Sequence, residues 1–177
     1  MKNEGGMARR IIFGALIFLG LLFVLMRPQP SAGQTMDKDW SNPYRLSSGD
    51  ASASQPYILN DQYGLVHVFW VETSMADERA TIFYTNFDGT VWASRVDIYA
   101  AAPGSPILYV SPTVDANGFL HLSWTEGENG PVYYTTAPAY NALSVRNWER
   151  PVRLDIPTFL FEIKVDSTGI LHVLYAR

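Results

Sequence analysis

The residues with the clearest chemical potential in this sequence are its three histidines, because imidazole can act as a general base or a metal ligand near neutral pH. His67 lies in GLVHVFW, His121 in GFLHLSW and His172 in GILHVLY. In each copy an Asp precedes the Gly by three residues, and an aromatic residue follows the His by three. This recurrence favours a structural role for all three histidines. A ligand-lining role in one copy is the alternative.

Charged residues just beyond the histidine segments are the second group of candidates. The stretches ETSMADER and EGENG follow Trp70 and Trp124, and we predict that both are loops at one edge of the fold. Carboxylates next to tryptophan suit a sugar or a cation, although the same residues are typical of solvated turns. The candidate ligand-binding residues are Glu72, Asp77, Glu78, Arg79, Glu126 and Glu128. Nothing in the sequence has metal-ligand spacing or a phosphate-loop motif, so we predict no metal and no cofactor.

The elements that must position these residues repeat about every 50 residues. Gly64, Gly118 and Gly169 are separated by 54 and 51 residues. A second column of tryptophans, spaced by 52 and 56 residues, consists of Trp40, Trp92 and Trp148. Because Trp70 and Trp124 follow the histidines in the first column, every tryptophan in the chain falls on a repeat position.

Within one repeat, four strand-like segments are separated by turn residues. In the first full copy they are QPYILN, GLVHVFWVE, ATIFYTN and VWASRVDIY, with the turns DQYG and FDGT between them. Alternation in the second segment sends Val68 and Trp70 to one face and His67 and Phe69 to the other, so both faces are largely apolar. A sheet of this kind must be covered on both sides. Stacked four-stranded sheets of this length are typical of β-propeller blades.

We therefore predict an all-β fold, a partial β-propeller of about two and a half four-stranded antiparallel blades, preceded by an N-terminal hydrophobic helix. Propellers have four to eight blades, so we expect the remaining blades to come from a longer chain or from partner chains. The predicted segments within 34–177 are an outer strand at 40–48, blades at 53–100 and 105–155, and a partial blade at 157–177.

The N-terminus has the pattern of an export signal. Positively charged residues precede an apolar stretch of sixteen residues, 11–26, and small residues precede a potential cleavage site before Gln34. Residues 1–33 are then either a cleaved signal peptide or a membrane anchor with its N-terminus inside. Both alternatives predict an extracytoplasmic protein, secreted or anchored by a single span.

Composition narrows the class of partner. From residue 34 onward the chain has nine Lys and Arg against sixteen Asp and Glu, a net charge of −7. Binding to a phosphate backbone needs clustered basic residues, so we predict no nucleic-acid partner. The sequence contains no cysteine, which excludes disulfides and a thiolate nucleophile.

These repeats resemble the sialidase-like propellers that carry BNR, or Asp-box, repeats, and the resemblance covers about residues 40–177. The resemblance rests on the D-x-x-G-x-x-H-x-x-W motif and on YTNFDGTVW, which is similar to an Asp box. Thr85, Asp88, Gly89 and Trp92 stand for the residues of the box, but Asp88 directly precedes Gly89 instead of lying two residues before it. In the family the box is structural, which implies the same for Asp88 and Trp92.

The resemblance also implies what an active member would need. Sialidases of this family use an arginine triad for the substrate carboxylate, a Tyr nucleophile activated by a Glu, and an Asp acid/base. The stretch PYRLS makes Arg45 a candidate for an early triad arginine. However, Arg45 and Arg153 each lie five residues after a repeat tryptophan, which favours a structural role for both.

Two functions follow as hypotheses. The first is an exported or membrane-anchored, sialidase-like β-propeller module that binds a glycan or a surface protein. The alternative is an exo-sialidase or related glycoside hydrolase whose catalytic residues lie largely in a missing C-terminal part. We favour binding over catalysis for this segment, because most of its notable polar residues occupy repeat positions. A chain from a broken reading frame, without a function of its own, is a third reading.

Overall fold

The computed structural model describes residues 41–154 and 160–176, and within these ranges the fold is all β. The strands are β1 Ala51–Asn60, β2 Val66–Ser74, β3 Ala80–Phe87, β4 Val96–Ala100, β5 Ile107–Val114, β6 Phe119–Glu126, β7 Val132–Pro138, β8 Val152–Leu154, β9 Leu160–Val165 and β10 Leu171–Ala176. Short 3-10 helices at Ala139–Asn141 and Val145–Asn147 connect β7 to β8.

The strands form three antiparallel sheets in chain order. The first sheet is β1-β2-β3-β4, the second is β5-β6-β7-β8, and the third contains β9 and β10. This confirms the predicted all-β class and the predicted four-stranded antiparallel repeats. Among the described residues the three sheets do not close into a ring.

The predicted hydrophobic helix, the export signal and Trp40 lie outside the described residues. In the part of the chain that the structure describes, no helix has the length and apolar character needed to cross a membrane.

The same turn precedes the second strand of every sheet. The Oδ1 atom of Asp61 accepts hydrogen bonds from the backbone N–H groups two and four residues further on, both at 2.9 Å. Asp115 and Asp166 make the same pair of bonds. Gly64 has a φ of +89° within the turn, a conformation that glycine adopts without a steric penalty. The recurrent Asp and Gly therefore fix where each second strand begins.

The sheets stack face to face, and the second sheet has a different neighbour on each of its two faces. Phe69 of the first sheet packs in one buried cluster with Leu122 and Trp124 of the second. On the opposite face of the second sheet, Val132 packs against Ile163 of the third. Burial of two apolar faces explains why β2 and β6 contain so few exposed polar residues.

The first strands of adjacent sheets lie next to each other and are joined by polar contacts. Gln55 lies at a bulge in β1 with a φ of +51°, and Tyr109 lies at the matching bulge in β5 with a φ of +50°. The Gln55 side chain donates to the carbonyl of Ile107 at 2.8 Å and accepts from the N–H of Val110 at 3.1 Å. These two bonds hold β1 against β5.

Three predicted boundaries are corrected. The described part of the predicted outer strand at 40–48, residues 41–48, forms no strand, and Pro43 within it lacks an N–H donor for strand pairing. The fourth strand of the first repeat begins at Val96 instead of near Val91, after a single bridge between Phe87 and Trp92. The 3-10 helices before β8 shorten the corresponding strand of the second repeat to three residues.

Candidate functional site

His67 belongs to a buried polar network that spans β2, β3 and the Asp61 turn. Its Nδ1 atom lies 2.8 Å from the hydroxyl oxygen of Tyr84, and its Nε2 atom lies 3.3 Å from Oδ2 of Asp61. Asn86 donates to the Tyr84 oxygen at 3.3 Å, so the Tyr84 hydroxyl is free to donate to Nδ1 of His67. This assigns the imidazole proton to Nε2, which faces the Asp61 carboxylate. The angle of that contact does not meet the geometry of a hydrogen bond.

Burial governs the protonation of this network. It lowers the pKa of His67, and the neighbouring Asp61 only partly opposes that effect. Burial also raises the pKa of the Tyr84 hydroxyl. A neutral imidazole with no exposed surface and a neighbour at each nitrogen cannot receive a proton from a substrate in solution.

The second repeat reproduces the network at half-buried positions. Nδ1 of His121 lies 2.6 Å from the Tyr134 hydroxyl, and its Nε2 lies 3.5 Å from Oδ2 of Asp115. Burial by itself raises the pKa of Asp115, but the N–H of Phe119 and the His121 ring outweigh that effect and lower it. The first two histidines thus have equivalent partners at both ring nitrogens, although His121 is less buried than His67.

The third histidine also contacts the turn Asp of its own repeat, but its side chain is much more exposed. Nε2 of His172 lies 2.8 Å from Oδ2 of Asp166, and the His172 side chain is 61% exposed. The imidazole and then the Thr168 hydroxyl hold the pKa of Asp166 well below its usual range. The described residues of the third sheet include no third strand, and so none supplies a tyrosine to Nδ1.

Glu72 was predicted in a ligand-binding loop, and this placement is corrected. β2 continues to Ser74, because the cross-strand pairing with β3 extends beyond Trp70, and Glu72 is buried within it. Its carboxylate accepts from the N–H and hydroxyl of Ser48 at 2.8 and 2.7 Å, from the Trp70 indole at 2.8 Å and from Arg95 at 2.5 Å.

This set of donors decides the charge and role of Glu72. Burial raises its pKa, but the bonds from Ser48, Trp70 and Arg95 lower it to about 2. The Arg95 guanidinium also lies 4.4 Å from the centroid of the Phe83 ring. Glu72 is therefore an ionised anchor that holds residue 48 against the first sheet, with three of its four hydrogen bonds on Oε1 and one on Oε2.

The other predicted ligand-binding residues are spread over different environments. Glu126 is the last residue of β6, so it too belongs to a strand. Its carboxylate accepts from the Tyr99 hydroxyl at 2.8 Å. Burial and Glu126 together raise the pKa of Tyr99. Asp77 and Arg79 form an ion pair at 3.4 Å on the loop between β2 and β3. The remaining candidates are all exposed: Asp77, Glu78, Arg79 and Glu128. Among the described residues there is no cluster of acidic or histidine side chains that could hold a metal ion.

Arg45 borders a cleft on the outer face of the first sheet. The cleft has a volume of about 280 Å³ and lies between residues 44–47 and the strands β1 and β2, with Trp70 in its wall. Arg45 donates to the carbonyl of Ser48 at 2.6 Å, and Tyr44 beside it is 68% exposed. A neighbouring cavity of about 310 Å³ shares these residues and adds Arg95.

The residues compared with an Asp box form a tight turn between β3 and β4. Oδ1 of Asp88 accepts from the N–H groups of Thr90 and Val91 at 2.8 and 2.9 Å, and Gly89 has a φ of +93°. The Trp92 ring packs on Phe87, with centroids 5.1 Å apart, and lies parallel to Tyr44 at 6.5 Å. Trp148 is buried elsewhere, between the first two sheets.

Two recurring sets of hydrogen bonds were not predicted from the sequence. Tyr84 and Tyr134 bond the histidines, and both occupy the third residue of a recurring stretch, IFYTN and VYYTT. Glu72 and Glu126 both follow the repeat tryptophan by two residues and both bond the segment that precedes their sheet. These columns were visible as repeats, but their bonding partners lie on other strands.

No protein-family model matches this chain, and searches among curated proteins and among solved structures likewise found no match.

Proposed function

We propose that this chain is part of a sialidase-like β-propeller, exported or membrane-anchored, that acts as a glycan-binding module. The support for the propeller is the stacking of successive sheets in chain order, with their first strands β1, β5 and β9 on one side. The support for export is the apolar stretch 11–26 in the sequence.

The observation that carries the binding proposal is the cleft beside Tyr44 and Arg45. Glycan sites combine an exposed aromatic ring, which stacks on a sugar face, with donors that bond sugar oxygens. Tyr44 supplies such a ring, held parallel to Trp92, and Arg45 supplies guanidinium donors at the mouth of the same cleft. The volume of about 280 Å³ suits one or two sugar rings.

Binding is favoured over catalysis because the titratable groups near the cleft are already engaged. Glu72 accepts four hydrogen bonds and has a pKa of about 2, so it holds no proton to donate at neutral pH. His67 is buried on the opposite face of the sheet. A surface protein in place of a glycan is the other class of ligand, and it would use the same exposed Tyr44.

An exo-sialidase is the alternative, and one observation favours it. Arg45 and Arg95 border the same cavity, and paired guanidinium groups suit a substrate carboxylate. Arg95 is, however, neutralised by Glu72 at 2.5 Å. The remaining catalytic groups of such an enzyme would have to lie outside this segment.

A glycan array tests the proposal with the full chain in detergent. We expect selective binding that falls about tenfold in Tyr44→Ala and in Arg45→Gln, because each removes one of the two contact types. Tyr140→Ala and Arg146→Gln are matched controls, since both residues are exposed but remote from the cleft. Absence of any glycan binding, or equal losses in the controls, would refute the proposal. Release of a terminal acidic sugar by the same chain would support the enzyme instead.

A further inference from the structure

The two ends of the first two sheets differ in the side chains that they expose. In the first sheet, the connections from β1 to β2 and from β3 to β4 lie at the same end, because Val66 pairs with both Asn60 and Phe87. The second sheet has the same arrangement, with the connections from β5 to β6 and from β7 to β8 at one end. We call this end of the two sheets the turn end, and it consists of residues 61–65, 88–92, 115–119 and 139–147.

Contacts between the two sheets make the turn end a continuous surface. Nε2 of Gln62 donates to the carbonyl of Ala116 at 2.7 Å. The Tyr63 ring lies against Gly118, with its Cε2 atom 3.2 Å from the position that a Cβ of residue 118 would occupy. The N–H of Ala139 donates to the carbonyl of Gly118 at 2.8 Å. Three of the four stretches are therefore in contact.

The side chains that project from the turn end are mostly aromatic or aliphatic. Tyr140 is 82% exposed and Tyr63 is 72% exposed. The large apolar side chains exposed at this end are Tyr63, Val91, Phe119, Tyr140, Leu143 and Val145. The turn acids here use Oδ1 to accept from backbone N–H groups of their own turns. At the opposite end, the loop 75–79 exposes Met75 together with three charged residues.

We propose that the turn end binds the surface of a lipid bilayer, with the rings of Tyr63 and Tyr140 at the level of the headgroups. Tyrosine is enriched at membrane–water interfaces, because its ring is apolar and its hydroxyl bonds water and headgroups. Leu143 and Val145 add exposed aliphatic surface beside Tyr140. Arg146, exposed in the same connection, pairs with an anionic headgroup.

A bilayer suits this surface better than a further sheet or a soluble protein. The sheets stack through their faces, so a further sheet stacked in the same way covers a face and not the turn end. The apolar side chains project from separate connections, and a bilayer accepts such side chains without needing a complementary shape. The proposal rests on the proposed export or anchoring, which places a bilayer beside the chain, and it names the surface that faces that bilayer.

The test uses the full chain, which contains no cysteine, with one cysteine introduced to carry a fluorophore. Asn117→Cys labels the turn end and keeps its apolar side chains, whereas Met75→Cys labels the opposite end, and both positions are exposed. The labelled chains are reconstituted in phosphatidylcholine vesicles that contain about one-fifth phosphatidylglycerol. We expect quenching by doxyl-labelled lipid to be at least about threefold stronger at residue 117 than at residue 75, since only the turn end enters the headgroup region.

Acidic substitutions in the chain labelled at residue 117 identify the side chains responsible. Tyr63→Asp combined with Tyr140→Asp should reduce the quenching to the level seen at residue 75, because anionic headgroups repel carboxylates. Tyr140→Asp alone should lower the quenching about twofold, and it keeps the test valid if the double variant unfolds. Met75→Asp is the matched control, since Met75 is 74% exposed at the opposite end, and it should leave the quenching unchanged.

Equal quenching at residues 117 and 75, or quenching unaltered by Tyr140→Asp, would overturn the proposal. Protection of residue 117 from aqueous iodide without lipid quenching would overturn it in favour of contact between copies of the chain. Flotation with the vesicles is scored separately: a chain that floats without stronger quenching at residue 117 keeps the proposed anchoring and refutes this surface, and a chain that does not float refutes both. Glycan binding is measured in detergent, without a bilayer, so its outcome is independent of this one.

Discussion

His67 and His172 occupy the same position of the same repeated phrase and yet have opposite environments. Both face the carboxylate of the turn Asp six residues earlier, at 3.3 and 2.8 Å. His67 is fully buried and bonded to Tyr84, whereas His172 is 61% exposed. The difference lies in the neighbouring strand and the packed sheet, which are present at His67 and absent among the described residues at His172.

The comparison shows that the repeat motif by itself specifies only the turn and the acid contact. The third strand and the next sheet convert that local unit into a buried network. Because burial lowers the pKa of His67, the same imidazole changes from a hydrated side chain into a neutral part of the core. Variants at equivalent positions of the first and third repeats therefore test this account.

The largest contrast is expected for removal of the imidazole. His67→Ala should lower the free energy of unfolding by about 3 kcal/mol, because it leaves a cavity and removes the imidazole that faces the buried Asp61 carboxylate and Tyr84 hydroxyl. His172→Ala should change it by less than about 0.5 kcal/mol, since its surroundings are already hydrated. Urea denaturation followed by tryptophan fluorescence measures both. Equal effects at the two positions would break the comparison.

His121→Gln should likewise lower stability while leaving glycan affinity per folded molecule nearly unchanged.

A smaller contrast is expected at the turn glycines. Gly118 and Gly169 have φ values of +79° and +85°, so valine should cost about 2 kcal/mol at either position. At Gly118 a new Cβ would also lie 3.2 Å from Cε2 of Tyr63, whereas at Gly169 it meets no atom within 4 Å. We expect up to about 1 kcal/mol more destabilisation at Gly118. Thermal unfolding of Gly118→Val, Gly169→Val and the double variant Gly118→Val/Tyr63→Ala measures this increment. It should disappear in the double variant.

The smallest effect is expected in the pH dependence. The pKa of His67 is lower in the folded chain than its usual value of 6.5. The unfolded chain therefore binds more protons below pH 6.5, and the contribution of His67 to stability is lost as the pH falls toward its folded-state pKa. Urea midpoints between pH 7.5 and 5.5 should decline less in His67→Gln than in His172→Gln. A His67 imidazole resonance that titrates at 6.5 would contradict the expectation.

Local features of the fold were predictable from the sequence, and long-range bonds were not. The Asp and Gly of each turn and the alternation in β2 predicted the strand starts, because those signals act within a few residues. The tie between Ser48 and Glu72 joins residues 24 apart, and no local pattern encodes it. Trp92 illustrates an intermediate case: its repeat position was visible, but the irregular residues after it delay β4 to Val96.

In the candidate site, too, local features were predictable from the sequence and long-range contacts were not. Arg45 was identified from its stretch of sequence, but the cleft beside it depends on how residues 44–47 lie over β2. Glu126 was assigned to a loop with the rest of EGENG, and its bond to Tyr99 depends on a contact between two sheets. Tertiary contact therefore decides which repeated polar residues remain available to a ligand.

The Gln55 contacts with β5 have a consequence for the order of folding. Each sheet is a chain of hairpins whose pairings are local and can form on a microsecond timescale. Gln55 bonds residues that lie 52 and 55 positions further along, so its contacts require closure of a long loop after both hairpins exist. Its bonds should thus be absent from the transition state, and their removal should speed unfolding while leaving the folding rate nearly unaltered. We therefore expect Gln55 to slow the separation of two sheets that have already formed.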